Sequence, residues 1–290
     1  MRLDGPESGN FQDDTGRSGM GLGGGGGNML GCLLPLVASR FGIVGVVVLL
    51  LGYCAINQFG GGGLISGGGP TTSQSTPAGQ STLDPATKKF TLQVLGSTEQ
   101  VWGQQLGGRY QPTTLVFYNR ADQSGCGAAQ SAMGPFYCPT DKKIYLDTEF
   151  FNELSQRFQA PGDFAMAYVV AHEVGHHVQD MMGTLDQAHN AQARAGDTQG
   201  NAIQVAVELQ ADCYAGVWAA NAKNPDGSSV LSPGDTQEGM RAAEAIGDDT
   251  LQKQTQGRVV PESFTHGSSA QRMEALRRGL KSGDLKVCTF

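Results

Sequence analysis

The sequence has no excess of positive charge. Its 20 lysine and arginine residues are outnumbered by 27 aspartate and glutamate residues, so the formal net charge is −7. Nucleic-acid backbones are bound by basic surfaces, and this balance therefore argues against a nucleic-acid partner. Histidine is also scarce, with five residues in a chain of 290. A segment that concentrates histidine is therefore unusual for this protein.

Cysteine is sparse too, and no two cysteines have the C-x-x-C spacing that is typical of zinc–thiolate sites. Two of the six lie in or beside an apolar N-terminal segment, and the other four follow it. An even number of cysteines in an oxidising compartment suggests two disulfides, and four cysteines allow three pairings. We expect Cys126–Cys138, a short closure leading into a hairpin, and Cys213–Cys288, which would tie the C-terminal tail to a helix.

The N-terminal part of the chain is poor in the patterns of a folded domain. Residues 1–28 are rich in glycine, aspartate and serine, which predicts a disordered tail. Residues 41–59, FGIVGVVVLLLGYCAINQF, carry no charge and predict a transmembrane helix within an anchor region at 33–59. The alternative for this segment is a buried core helix. Residues 60–83 read as a Gly/Ser/Thr/Pro linker, and residues 84–290 have the length of one domain.

The charges that flank the apolar segment predict its orientation. Arg2, Arg17 and Arg40 precede it, and the next basic residue is Lys88. The positive-inside rule then puts the N-terminus in the cytoplasm and the domain on the other side of the membrane. No Ala-x-Ala-like site follows the segment, which argues against a cleaved signal peptide. The membrane is therefore an expected partner, through this single helix.

The region after residue 84 predicts an α+β fold. Asp84 followed by Pro85 is typical of a helix start. Residues 113–119 are β-branched and aromatic and predict a strand, and residues 134–147 predict a hairpin. Several helices follow, and a small sheet with segregated helices is an α+β arrangement. We expect the strand at 113–119 to offer a sheet edge to an extended peptide.

The segment AHEVGHHVQD, residues 171–180, holds three of the five histidines. His172 and His176 are four apart and share a helix face, with Glu173 between them, which is the H-E-x-x-H spacing. Two neutral imidazoles can ligate zinc, and the glutamate can act as general base toward the zinc-bound water. Because burying these groups in an apolar helix is costly without a partner, we expect one Zn²⁺ per chain. His177 points away and is expected to pack or to support the site.

A catalytic zinc usually has a third protein ligand. The class with a third histidine in the same segment is excluded, because Met182 stands where that histidine would be. The segment ELQAD provides Glu208 and Asp212, again four apart on one helix face. We expect Glu208 to be the third ligand and Asp212 to accept a hydrogen bond from a ligand histidine. His189 and Asp186 are the alternatives for the third ligand.

These motifs resemble the gluzincin branch of zinc metallopeptidases, and most closely the bacterial neutral zinc metallopeptidase family. The segments that carry the resemblance are CGAAQSAMGPFYCP, YLDTEFF, PGDFAMAYVVAHEVGHHVQ, ELQADCYAGVW and THGSSAQR. The resemblance implies a zincin-like domain behind a single anchor in the bacterial inner membrane, with peptidase activity on peptide or protein substrates. The alternatives are an envelope zinc-binding scaffold without turnover and a zinc amidase that acts on cell-wall peptides.

The segment THGSSAQR also resembles the T-H-P…R segment of membrane-embedded gluzincins. That resemblance implies that His266 and Arg272 are catalytic and flank the oxyanion of the transition state. Gly267 replaces the proline of that pattern. The alternatives are a surface loop histidine together with a helix-start arginine that forms a salt bridge, or an Arg272 that binds Asp212 or a substrate carboxylate.

Overall fold

A computed structural model describes residues 1–16 and 81–290 of the chain. The expected anchor region at 33–59, with its transmembrane helix, lies outside these residues, as does most of the expected linker. Within the described ranges, no helix combines the length and the apolar character that crossing a membrane requires.

The sheet has four strands and a separate two-stranded hairpin accompanies it. The strands are β1 (Phe11–Asp13), β2 (Thr114–Tyr118), β3 (Ala121–Ser124), β4 (Gly127–Gln130), β5 (Phe136–Cys138) and β6 (Lys143–Asp147). The main sheet has the order β1-β2-β6-β5, in which β1 and β6 run parallel to β2 and β5 runs antiparallel to β6. Strands β3 and β4 form the hairpin.

The expected strand and hairpin are confirmed, but the expected peptide-binding edge is wrong. Strand β2 is bonded on one side to β1 and on the other to β6, so it has no free edge. Among the described strands, β5 lies at the end of the sheet next to the helices, because its Tyr137 contacts Asp180 and His177.

Eight helices complete the described fold, and with the sheet they confirm the α+β class. They are α1 (Pro85–Leu106), α2 (Phe150–Gln156), α3 (Asp163–Met181), α4 (Thr184–Gln192), α5 (Asp197–Asn221), α6 (Asp235–Ala245), α7 (Asp248–Gln256) and α8 (Ser269–Ser282). Asp84 caps α1 by accepting a hydrogen bond from the Thr87 amide, as its sequence predicts. Helix α3 is apolar nearly all round and lies in the core, where it packs against α1, α5 and α6.

The first 16 residues fold against the domain, which corrects the expectation of a disordered tail for this stretch. Strand β1 joins the sheet beside β2, and Met1 and Leu3 pack against the core. Composition misled the prediction because backbone hydrogen bonds and ion pairs, more than apolar side chains, hold this segment. The end of the expected linker is folded as well, since Leu83 is buried.

Both expected disulfides are confirmed. Cys126, next to β4, is bonded to Cys138 at the end of β5. Cys213 in α5 is bonded to Cys288 in the C-terminal tail, across 75 positions of sequence. The second bond therefore fixes the C-terminal tail to the helix that carries Glu208.

Candidate metal centre

Two helices in close contact bring three ligand-type side chains together. At Gly175 of α3, an added Cβ would lie 3.1 Å from the Cα and carbonyl oxygen of Ala211 in α5, so glycine permits this approach. His172 and His176 project from α3 toward Glu208 of α5. Within the described residues, these three form the group of potential metal ligands, all within 4.8 Å of one another. The alternative ligands, Asp186 and His189, are exposed on α4 instead.

The spacing of the three atoms fits a tetrahedral zinc site. The two Nε2 atoms of His172 and His176 are 3.1 Å apart. Glu208 Oε2 lies 3.2 Å from the first and 3.5 Å from the second. Ligands bound at 2.0–2.1 Å in a tetrahedron are separated by about 3.3 Å. One ion can therefore contact all three atoms and keep a fourth position for water or substrate.

The hydrogen bonds of the outer ring nitrogens fix which atoms face the centre. His172 Nδ1 lies 2.8 Å from Asp212 Oδ1, and His176 Nδ1 lies 2.8 Å from Gln179 Oε1. The Gln179 side-chain nitrogen donates to the Val207 carbonyl, so the side-chain oxygen is the atom that faces His176. Both Nδ1 atoms thus donate, so in the neutral rings both Nε2 atoms carry lone pairs. With Glu208, three acceptors converge, which is favourable only around a cation.

The charges of the site also favour a bound cation. Burial would lower the pKa of His172, but the carboxylates of Asp212 and Glu208 raise it to about 10. Burial would likewise raise the pKa of Glu208, yet the two histidines hold it well below its usual range. The site therefore favours a bound positive charge, which a proton or a metal ion can supply. The histidine and carboxylate ligands, at these distances, fit zinc.

A buried network holds the Asp212 carboxylate in place behind His172. Arg272 of α8 donates from Nε to Asp212 Oδ2 and from Nη2 to Asp212 Oδ1, each at 2.9 Å. The Tyr168 hydroxyl donates to Asp212 Oδ1 at 2.6 Å. Burial would raise the pKa of Asp212, but Arg272 and His172 lower it to about 2. Asp212 is therefore a charged acceptor that orients His172, as its position in ELQAD predicts.

Arg272 consequently has a different position from the one its resemblance implied. Its side chain is 3% exposed, and its guanidinium is bound to Asp212, Tyr168 and the Ile246 carbonyl. A guanidinium that is committed to these partners is not available to an oxyanion. The alternative that Arg272 binds Asp212 is the one that the structure contains, and Asp212 in turn contacts His172.

Two glutamines that sequence reasoning missed orient the other two ligands. Gln179 accepts from His176, and Gln204 Nε2 donates to Glu208 Oε1 at 2.9 Å. Each is one helical turn from its ligand, at i+3 and i−4. That spacing is the signal that could have identified them, although glutamines on helices have many other roles. Every ligand side chain therefore has its own hydrogen-bond partner.

The whole chain, residues 1–290, matches the family described as "Putative neutral zinc metallopeptidase". The chain belongs to this family. An uncharacterized Escherichia coli K12 protein, YpfJ, is 42% identical over 286 residues, covering 97% of this chain and 95% of its own. Uncharacterized protein Rv2575 of Mycobacterium tuberculosis H37Rv is 45% identical over 201 residues, covering 66% of each chain. No solved structure matches the chain.

In this zinc metallopeptidase family member, Glu173 lies beside the ligand cluster and is 7% exposed. Its negative charge contributes to raising the pKa of both His172 and His176. Within the described residues, no hydrogen bond from another protein group reaches this carboxylate.

His266 is held near the Glu208 turn but is not one of the clustered ligands. The Asp248 carboxylate accepts from the backbone amides of Thr265, His266 and Gly267 and lies 3.3 Å from His266 Nδ1. At Gly267, an added Cβ would lie 3.2 to 3.3 Å from Val205 and Leu209, which flank Glu208 on α5. Gly267 has a φ of +91°, a conformation that proline cannot adopt, so the loop differs from a T-H-P loop.

His177 is a packing residue, in agreement with its sequence position. Its ring lies 3.0 Å from the Tyr137 hydroxyl and 2.7 Å from the Gln111 carbonyl oxygen. Burial lowers the pKa of His177 below its usual value. It thus links α3 to the end of the sheet rather than ligating the metal.

Proposed function

We propose that this chain is a zinc metalloendopeptidase of the zincin type, with His172, His176 and Glu208 as zinc ligands and Glu173 as general base. The observation that carries the proposal is that ligand atoms of three side chains converge at the spacing of a tetrahedral site. Each of these side chains is oriented by a hydrogen bond with a neighbouring residue. The buried Glu173 follows the first ligand in sequence. When bound, zinc polarises the scissile carbonyl and lowers the pKa of the attacking water.

The residues of this chain have the following proposed roles. Glu173 accepts a proton from the attacking water as its oxygen bonds to the carbonyl carbon. It then delivers this proton to the amide nitrogen as the carbon–nitrogen bond breaks. Asp212 and Gln179 keep both imidazoles with their Nε2 atoms toward the centre. His266 supplies a hydrogen-bond donor to the developing oxyanion.

We propose that peptide or protein substrates lie along β5 in an extended conformation. Strand β5 is bonded to β6 and has no second partner among the described strands. Its Tyr137 contacts His177 and Asp180, which are close in sequence to the ligand His176. Main-chain hydrogen bonds to this edge would align a peptide without strict dependence on its sequence.

We further propose that the protein acts outside the cytoplasm of a bacterium and that the apolar segment at 41–59 associates with the membrane. The two disulfides support this placement, because such bonds are rare in the cytosol. The uncharged apolar run supports membrane association.

The test is the Glu173→Gln variant of the full-length chain. We expect it to bind one zinc per chain, like the wild type, and to lose on the order of 10²–10⁴-fold in casein turnover. Glu262→Gln, an exposed glutamate, is the matched control and should cleave at the wild-type rate. Full turnover by Glu173→Gln would remove Glu173 from the mechanism.

The same assay separates the other two functions. A zinc-binding scaffold predicts no casein cleavage by the zinc-loaded wild type, although elemental analysis finds the metal. A cell-wall amidase predicts release of cell-wall peptides while casein stays intact. Absence of zinc above background after loading would contradict all three functions.

A further inference from the structure

The two described parts of the chain, residues 1–16 and 81–290, meet where the first ends and the second begins. The backbone amide of Thr82 donates to Thr15 Oγ1 at 3.0 Å, and this oxygen also lies 3.4 Å from Ser81 Oγ. The two ends of the segment 17–80 are therefore held side by side. This segment contains the whole expected anchor region, so the position of its two ends bears on how the protein meets a membrane.

Contacts along the whole of residues 1–16 hold that segment against the domain. The Met1 amino group is buried and lies 3.2 Å from a carboxylate oxygen of Asp235. The Arg2 amide donates to the Val230 carbonyl at 2.9 Å. At the other end, Asp13 forms a 2.7 Å ion pair with Lys88 of α1. Between these ends, Ser8 donates to Glu99.

Helix α1 is adapted to receive this segment. Gly96 lies in the interior of α1, where glycine is otherwise unfavourable. An added Cβ at Gly96 would lie 2.7 Å from the Pro6 carbonyl oxygen and 3.3 Å from the Ser8 amide nitrogen. Glycine at this position thus lets the backbone of residues 6–8 lie directly on the helix. The Ser8 amide also donates to the Leu92 carbonyl at 2.9 Å.

We infer that residues 1–16 and 81–290 form one folded domain and lie in the same compartment. Hydrogen bonds of about 3 Å hold the two parts together, whereas the hydrocarbon core of a bilayer is about 30 Å thick. A chain that crossed a membrane once between residues 16 and 81 could not make these contacts. One that crosses twice, or not at all, can make them. The charge pattern had predicted opposite sides, and the contact set argues against that arrangement.

The first experiment tests docking in the full-length protein. A carbodiimide joins carboxylates and amines that are in direct contact, so it should link Asp13 to Lys88, whose Nζ lies 2.7 Å from the carboxylate. Peptide mapping by mass spectrometry should find this isopeptide in the wild type and lose it in Asp13→Asn. Absence of the linked peptide in the wild type would overturn the inference.

The second experiment tests the compartment directly. In a chain with Cys32→Ser and Cys54→Ser, one cysteine is introduced at exposed Glu7 or at exposed Lys253. Intact cells and inverted membrane vesicles are treated with a membrane-impermeant maleimide, and labelling is read at the engineered site by mass. We expect both positions to be labelled from the same side. Labelling from opposite sides would refute the shared compartment, whatever the enzyme's activity.

Discussion

Replacing Arg272 by methionine would separate its positioning role from an oxyanion role. The guanidinium is buried and makes two 2.9 Å hydrogen bonds to Asp212, one to each carboxylate oxygen. Methionine keeps most of the volume but removes every donor. Asp212, which is fully buried, then loses the one cationic partner that it has among residues 1–16 and 81–290, apart from a protonated His172.

The magnitude follows from leaving a buried charge without its partner. Such losses destabilise proteins by about 3–5 kcal/mol, a large share of the 5–15 kcal/mol that folding usually provides. The pKa of Asp212 should rise once Arg272 no longer lowers it. Because Asp212 orients His172, zinc affinity should also fall about 10- to 100-fold. Arg272→Lys keeps the positive charge but cannot form the bidentate pair with Asp212. Its stability and zinc affinity should therefore lie between those of Arg272→Met and the wild type.

The assay combines denaturant unfolding with zinc competition against a chromophoric chelator. Arg277→Met is the matched control, because Arg277 lies on the same helix and forms an exposed pair with Glu274. It should change stability by less than about 1 kcal/mol and leave zinc affinity unaltered. If Arg272→Met kept wild-type stability and zinc affinity and lost only kcat, Arg272 would be an oxyanion donor and the positioning argument would fail.

Four further outcomes are expected. Gln179→Ala should weaken zinc binding about 10-fold in the same competition assay, because His176 loses the acceptor that orients it; unchanged affinity would contradict this. His266→Ala should lower kcat on casein about a hundredfold with zinc content unaltered, and a full-rate variant would return His266 to a purely structural role. Replacing residues 17–80 by a short Gly/Ser linker should give a folded, zinc-binding protein. Removing residues 1–80 should give a protein with a lower melting temperature. Equal melting temperatures of these two variants would argue against the docked N-terminal segment. Cys213→Ser should cost about 4 kcal/mol in thermal unfolding, given a closed loop of 75 positions, and a loss below about 1 kcal/mol would show that the bond is dispensable.

The spatial grouping of the candidate metal ligands could be predicted in part because their geometry is local. His172 and His176 share a helix face by the helical period alone, and Glu208 and Asp212 follow the same rule. No sequence period specifies which helices pack together. The contact between α3 and α5 could therefore be predicted only from the expectation that a zinc site needs a third protein ligand. Arg272, which also donates to Asp212, is 60 positions away in sequence. Tertiary packing brings these two residues together, and no local pattern predicts it.

The N-terminal strand shows where composition is a poor guide. Residues 1–16 have few large apolar side chains, and this composition predicted disorder. Strand β1 is instead stabilised by parallel pairing with β2, a contact across about a hundred positions that no local pattern encodes. The same nonlocal pairing makes β2 an interior strand, so the edges of the described sheet are β1 and β5.

The C-terminal tail is coupled to the ligand His176 by a continuous series of hydrogen bonds. The Cys288 carbonyl accepts from Gln210 Nε2 at 2.8 Å, and Gln210 Oε1 accepts from Gln179 Nε2 at 2.9 Å. Gln179 Oε1 in turn accepts from His176 Nδ1. The disulfide to Cys213 fixes the first group of this series, because it holds the tail against α5. Each amide has its orientation set by the next, so a change at the tail can reach the imidazole without altering the core. We therefore expect loss of the disulfide to weaken zinc binding as well as stability.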